Sequence, residues 1–195
     1  MKRPHFINKF PNALPADICK EAIRLFEEKI DHAKHVVKDE RDDYSLFIDD
    51  YDSFNVVQEA INLCLHTYYK QVFVHNSISY PDSIVRPFKL QKSSAGGGFC
   101  DWHTEQGASE ASRTRFGVWM IYLNTVEKGG KTEFSNFEYA VKPEQGTLLI
   151  WPASYTHEHR AAPDLEEDKY IATGWFSFHG AGTKAHRNRE ENNRK

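Results

Sequence analysis

The spacing of apolar positions changes character once along the chain. After Pro15, Ile18, Ala22, Leu25 and Phe26 fall on one face at helical spacing, and Glu27, Glu28 and Lys29 are left for solvent. Pro15 suits the opening of such a helix, where an amide hydrogen has no partner to lose. A second helix is predicted over about 54–73, with Val57, Ile61, Cys64, Tyr68 and Val72 as its stripe and Ser53 as a cap. Between them, residues 36–53 are acidic and irregular, and read as a loop enclosing a short strand at 44–48. From about Ile84 onward, short apolar, aromatic and β-branched runs alternate with turn residues. They predict strands over 85–92, 101–105, 114–124, 131–134, 139–141, 147–151, 156–161 and 169–179. AGGGF, EKGGK and KPEQG mark turns between them. Two helices followed by an all-β stretch predict a mainly β fold with flanking α, a sandwich or small barrel backed by N-terminal helices. One domain is expected over residues 1–180, with helical support over about 13–75 and a β core over about 84–179. Residues 181–195 read as a polar, charged tail with a basic excess.

Composition narrows the class. Among 195 residues, 39% are hydrophobic and 27% charged, enough to build a core without disulfides and too much apolar content for a disordered chain. No apolar run reaches the length of a membrane span, and the N-terminus lacks the apolar stretch of a signal peptide. A net charge of -3 disfavours nucleic acid as the main partner. Cys19, Cys64 and Cys100 are odd in number and contain no CxxC, which argues against a disulfide framework and for a reducing cytoplasm.

Histidines carry the candidate chemistry. In WHTE, His103 and Glu105 are two residues apart, so a strand would aim both at one point. A surface ion pair is the commoner use of such a pair. The preceding AGGGF and the neighbouring Phe99 and Trp102 make a wholly solvated pair less natural. THEHRAAP adds His157 and His159 at the end of the apolar run TLLIW. One of these would complete a face of two histidines and one carboxylate, which leaves metal positions open and suits ferrous iron in oxygen chemistry. Strand parity does not choose between His157 and His159. Lys169 opens KYIATGWFSF and shares a face with Ile171, Thr173 and Trp175. Buried there it would need an anion.

Together these pieces resemble the iron(II)- and 2-oxoglutarate-dependent oxygenases, in their prolyl 4-hydroxylase-like branch, over roughly residues 85–178. That branch includes hypoxia-sensing and ribosomal-protein prolyl hydroxylases. The resemblance implies a double-stranded β-helix (a jelly-roll or cupin-like fold) backed by helices. Its iron triad maps onto His103, Glu105 and His159, because His159 precedes Pro163 by four positions and Lys169 follows His159 by ten. His157 would break both spacings and is expected beside the site or facing the substrate. By the same resemblance Lys169 and Tyr122 hold 2-oxoglutarate, and Trp175 and Arg115 contact substrate. Arg115 has the wrong parity for Tyr122 unless Gly117 marks a bulge. Two departures stand out: Glu105 replaces the commoner Asp, and Ser94 stands where a tyrosine is common. The implied cofactors are Fe(II), 2-oxoglutarate and O2, with ascorbate (vitamin C) as reductant. The implied reaction is hydroxylation of a C–H bond, first of a prolyl residue in a protein or peptide, with a translation-machinery protein as a candidate partner. Succinate and CO2 are the co-products. A hydroxylase of a free amino acid or other small molecule is the enzyme alternative. A non-catalytic metal-binding cupin-like protein is the other, and it has no need of Lys169. AGGGF and the acidic residues 42–52 are candidate lids.

Overall fold

The computed structural model describes residues 5–73, the backbone of 83–84, and residues 87–178. The expected tail, Val85 and His179 lie outside the described residues. Helix α1 (Ala16–Glu28) follows Pro15 and buries Cys19, Ala22, Leu25 and Phe26. Helix α2 (Asn55–Phe73) follows a single 3-10 turn at Asp52–Phe54. Its buried residues are Val57, Gln58, Ile61, Cys64, Leu65, Tyr69 and Phe73. The stripe thus passes through Tyr69 and Phe73, and Tyr68 and Val72 sit at its margin. Val57, Ile61, Leu65, Tyr69 and Phe73 step by four residues, each about 40° past a full turn, so the buried face winds slowly around the helix and leaves Tyr68 and Val72 beside it.

The strands are β1 (Asn8–Phe10), β2 (Lys34–Lys38), β3 (Arg41–Phe47), β4 (Ser83–Ile84), β5 (Lys89–Ser93), β6 (Gly98–Phe99), β7 (Arg115–Tyr122), β8 (Thr132–Phe134), β9 (Tyr139–Val141), β10 (Leu148–Pro152), β11 (His159–Ala161) and β12 (Lys169–Phe178). Among the described residues they form two antiparallel sheets. The larger runs β1-β10-β7-β12-β5-β3-β2, with β4 on β12 and β6 on β3; the smaller runs β11-β8-β9. The protein is mainly β, a curled antiparallel jelly roll backed by two helices, as expected.

Period-two alternation decides which side chains meet the helices. On β7, Trp119 and Ile121 face the helices, and Val118, Met120 and Tyr122 face the space between the sheets. On β10, Leu148 and Ile150 take the helical side, and Leu149 and Trp151 the other. Each fully buried large side chain contributes roughly 2 kcal/mol, so a one-residue slip of register would expose the whole helical face. Gly174 shows how tight this is: a Cβ there would sit 2.6 Å from Trp119 Cζ2.

Three expectations are corrected, and one strand lies where no element was expected. The strand expected at 44–48 is the later part of β3, but the residues before it are not a loop: β2 and β3 form a hairpin through Asp39 and Glu40, and β3 pairs with β5 as an inner strand. Asp39 takes a φ of 50°, a left-handed turn without the glycine that would have announced it. An inner strand is no lid, so that role falls for the first half of the acidic segment. The segment before α1 contributes β1, paired with β10. Residues 101–105 form no strand, only a single bridge between His103 and His159. Residues 155–157 are a 3-10 turn, so β11 begins at His159.

Candidate functional site

A cavity of about 330 Å³ opens on the face of the large sheet that the helices do not cover. Four strands aim alternate residues into it. Lys169, Ile171, Thr173 and Trp175 come from β12, and Lys89, Gln91 and Ser93 from β5. Arg41 and Asp43 come from β3, and Val118 and Met120 from β7. Arg115 joins them across an irregularity. Pairing with β12 runs Phe176↔Gly117 and then Ser177↔Arg115, so Phe116 is the extra residue of a bulge beside Gly117. That bulge restores the parity that Arg115 otherwise lacks.

His103, Glu105 and His159 meet at this cavity, with one ligand atom from each within 4.8 Å of the others. The two histidines are held as a pair: each amide nitrogen bonds the other's carbonyl, at 3.0 and 2.9 Å. In such a hydrogen-bonded antiparallel pair the side chains leave the same face. Each ring is turned by a nearby carbonyl. His103 Nδ1 lies 2.8 Å from Asp101 O, and His159 Nδ1 lies 2.9 Å from His157 O. A carbonyl only accepts, so Nδ1 carries the hydrogen and Nε2 keeps its lone pair. Phe99 stacks on His103 at 3.8 Å, and Trp151 meets His159 edge-on at 5.0 Å. Burial pushes the pKa of both histidines down, which keeps them neutral near pH 7, the form that binds a metal.

Glu105 turns one oxygen toward the histidines: Oε1 is 3.8 Å from His103 Nε2. Its other oxygen is occupied. Oε2 accepts from Trp175 Nε1 at 2.8 Å and from Arg115 Nη1 at 3.1 Å. Burial works to raise the carboxyl's pKa, but the charge of Lys89, the charge the two histidines take up only at low pH, and the Trp175 bond hold it below the usual range. Trp175 and Arg115, expected at the substrate, therefore bond the carboxylate, and only the indole face and the free edge of the guanidinium remain for a ligand. The Glu-for-Asp departure is accommodated here: the longer side chain reaches two donors that lock its far oxygen. Trp175→Phe keeps the ring and removes one charge-assisted bond, so ferrous affinity is expected to fall about tenfold. Anaerobic metal titration reads this, and unchanged affinity would show that Arg115 alone positions the carboxylate.

Lys169 lies toward the other end of the cavity, only 5% exposed, with its Nζ 2.9 Å from Gly130 O. No carboxylate pairs with it among the described residues, and burial lowers its pKa to about 8. Thr132 lines the cavity with Lys169. Tyr122 is corrected: it does not line the cavity, and its hydroxyl donates to Thr132 Oγ1 at 2.7 Å. It stands behind Thr132, with Val141 O at 3.4 Å as a second acceptor for its hydroxyl. His157 is corrected as well. Its ring faces away, with Nε2 2.7 Å from His5 O, Nδ1 2.9 Å from Thr156 Oγ1 and Phe137 at 4.9 Å. Only its backbone serves the site, through the carbonyl that turns His159. Ser94 is exposed, and its neighbour Ser93 lines the cavity.

The residues present suit a small divalent metal: two imidazole nitrogens with free lone pairs, one carboxylate oxygen, and open space beside them. They also suit a dicarboxylate, through the buried lysine without an anion. Sequence reading missed Thr132, Lys89, Arg41 and Asp43. The last two became legible only once β3 was a strand.

Residues 88–177 match a family model described as the 2OG-Fe(II) oxygenase superfamily. Prolyl 4-hydroxylase subunit alpha-2 from Gallus gallus is 32% identical over 73 residues, which are 34% of this chain and 14% of that protein, so the chain spans a small part of this relative. Among solved structures, the 2OG complex of the viral collagen prolyl hydroxylase from Paramecium Bursaria Chlorella virus-1 superposes with a TM-score of 0.71. It has 15% identity and covers 91% of this chain and 98% of its own. A prolyl hydroxylase from Trichoplax adhaerens, in complex with a hypoxia inducible factor peptide fragment, superposes with a TM-score of 0.69. It has 14% identity and covers 90% of this chain and 84% of its own. At these identities the superpositions speak for the fold.

Proposed function

We propose that the chain is a 2OG-Fe(II) oxygenase of the prolyl hydroxylase-like kind, as the family match over residues 88–177 and the prolyl hydroxylase relatives support, and that it hydroxylates a C–H bond of a prolyl residue in a protein or peptide, with succinate and CO2 as co-products. One observation carries this reading: a His-Glu-His cluster and a buried lysine without an anion line the same cavity. A metal-binding protein without turnover has no use for that lysine, which is costly to bury.

Ferrous iron and 2-oxoglutarate, when bound, supply the oxidant for an unactivated C–H bond. The chain's own residues do the holding. His103 and His159 offer Nε2, and Glu105 offers Oε1. Lys169 and the Thr132 hydroxyl would hold the distal carboxylate of 2-oxoglutarate, with Tyr122 bonded behind Thr132. Trp175 and Arg115 keep the Glu105 carboxylate in one pose. Val118, Met120 and Ile171 keep the floor apolar, which strengthens the lysine–carboxylate attraction and shields the oxidant from water. Among the described residues no helix is long and apolar enough to cross a membrane. The three cysteines are buried free thiols, which supports a reducing compartment such as the cytoplasm as the setting.

The test is incubation of prolyl peptides, loops of translation proteins first among them, with Fe(II), 2-oxoglutarate and ascorbate, followed by mass spectrometry. A gain of one oxygen that requires both Fe(II) and 2-oxoglutarate is the expected result. Anaerobic Fe(II) with 2-oxoglutarate should also give a weak visible charge-transfer band. A folded, iron-loaded protein that lacks the band would overturn the reading.

A further inference from the structure

The residues assigned so far leave one cation of the cavity unused. Arg41, Lys89 and Arg115 face the cavity with two carboxylates, Asp43 and Glu105. Each carboxylate is taken: Arg41 Nε bonds Asp43 at 2.6 Å, and Arg115 Nη1 bonds Glu105 at 3.1 Å. Ser45 and Gln91 also bond Asp43. Lys89 has no hydrogen bond or ion pair among the described residues; its Nζ lies 5.3 Å from the centre of the Trp175 ring. The Arg115 guanidinium lies on the same ring, at 3.6 Å, and only its Nη1 is engaged. Both cations thus rest against one indole, whose N–H reaches Glu105.

Position separates this cation from the lysine assigned to 2-oxoglutarate. Lys89 pairs across the sheet with Thr173, and Lys169 with Ser93, so the two lysines are four residues apart along the sheet, about 13 Å of strand. Loading the site does not remove the surplus. A divalent cation at the triad and the two charges of 2-oxoglutarate cancel each other, and neither supplies an anion to Lys89. Lys89 feels the charge of Glu105 across the cavity, but that carboxylate is bonded to Trp175 and Arg115; a half-buried ammonium with no anion in contact is costly, and a ligand that brings one recovers that cost.

We infer that Lys89, with the free edge of Arg115 against Trp175, forms an anion subsite that takes a carboxylate of the substrate. The inference rests on the hydroxylase reading above and narrows its substrate to molecules that carry a carboxylate near the carbon attacked. A peptide supplies such a group through an acidic neighbour or its own C-terminus, and a free imino acid through its α-carboxylate.

Three pairs of probes separate these sources: an acetylated tripeptide ending in proline against its amide, an internal Pro-Asp peptide against Pro-Asn, and L-proline against L-prolinamide. Binding is measured without turnover, by calorimetry on protein loaded with Mn(II) and 2-oxoglutarate under nitrogen. In at least one pair the carboxylate member is expected to bind tenfold or more tightly than its neutral twin, and that pair names the source. Lys89→Met should bring the ratio below threefold, and Lys89→Arg should restore it. That rescue separates a charge effect from misfolding, as does the thermal midpoint of each variant. Equal affinity within every pair, absence of binding by all six probes, or a preference that survives in Lys89→Met would each overturn the subsite. If 2-oxoglutarate itself does not bind, the hydroxylase reading fails instead, which calorimetry shows before any probe is added.

Discussion

Lys169→Met is expected to stabilise the ligand-free protein at pH 7 and to deprive it of 2-oxoglutarate. The pKa of Lys169 is lowered by burial from 10.5 to about 8. A lysine whose folded pKa lies below its unfolded value destabilises the fold wherever the unfolded chain holds the proton more tightly. The penalty is complete below pH 8 and fades as pH rises toward 10.5. At about 1.4 kcal/mol per unit it amounts to roughly 3 kcal/mol at pH 7. Losing the bond to Gly130 O returns about 1 kcal/mol of that gain. The variant should therefore melt several degrees higher at pH 7, and the gap should close above pH 10. Binding moves the other way. Breaking a buried ion pair costs about 3–5 kcal/mol, so 2-oxoglutarate affinity should fall by about two orders of magnitude or more. In the parent protein the same affinity should weaken about tenfold between pH 7 and 9, as Lys169 loses its proton, and the variant should show no such slope. Thermal scans across pH and calorimetry with 2-oxoglutarate read both effects. An unchanged dissociation constant in the variant would remove Lys169 from the cofactor site.

His159→Ala is expected to abolish ferrous binding and turnover, whereas His157→Ala keeps both at reduced stability. His159 brings one of three ligand atoms to the cluster, and two that remain do not hold a labile ferrous ion tightly. His157 acts through its carbonyl, which alanine retains, so the hydrogen on His159 Nδ1 keeps its acceptor. What His157→Ala loses is the tie to His5 O, the bond to Thr156 and the packing on Phe137, together about 1–3 kcal/mol. Anaerobic iron titration followed by the charge-transfer band, beside a denaturant melt, separates the two variants. The opposite pattern would exchange their roles.

Much of this site is legible along the chain because its spacing is local. Lys169 and Trp175 at even steps of one strand and the bulge beside Gly117 follow from strand parity; His103 and Glu105 meet as their spacing suggested, but on a segment that is no strand and is held by a single bridge to His159. Of the hairpin over residues 34–47 only the strand at 44–48 was legible, since the turn uses Asp39 where a glycine would have marked it and the inward residue Asp43 is charged. A strand that faces a polar cavity breaks the apolar alternation by which strands are recognised. The same break hid Arg41, whereas Lys89 sat on an expected strand and lacked only a spacing that singled it out.

The order and chemical type of the ligands, the helical and β halves of the chain, and which strand residues share a face were decided by the sequence itself, because periods of 3.6 and 2 are properties of a single segment. Where each polar atom is spent was decided only by the tertiary structure. His157 is turned away by His5, 152 residues distant, and Glu105 is locked by Trp175, 70 residues distant. Tyr122 gives its hydroxyl hydrogen to Thr132 on a neighbouring element. A hydrogen bond needs its partner within about 3 Å at a suitable angle, and no pattern along one strand states which distant atom will arrive there.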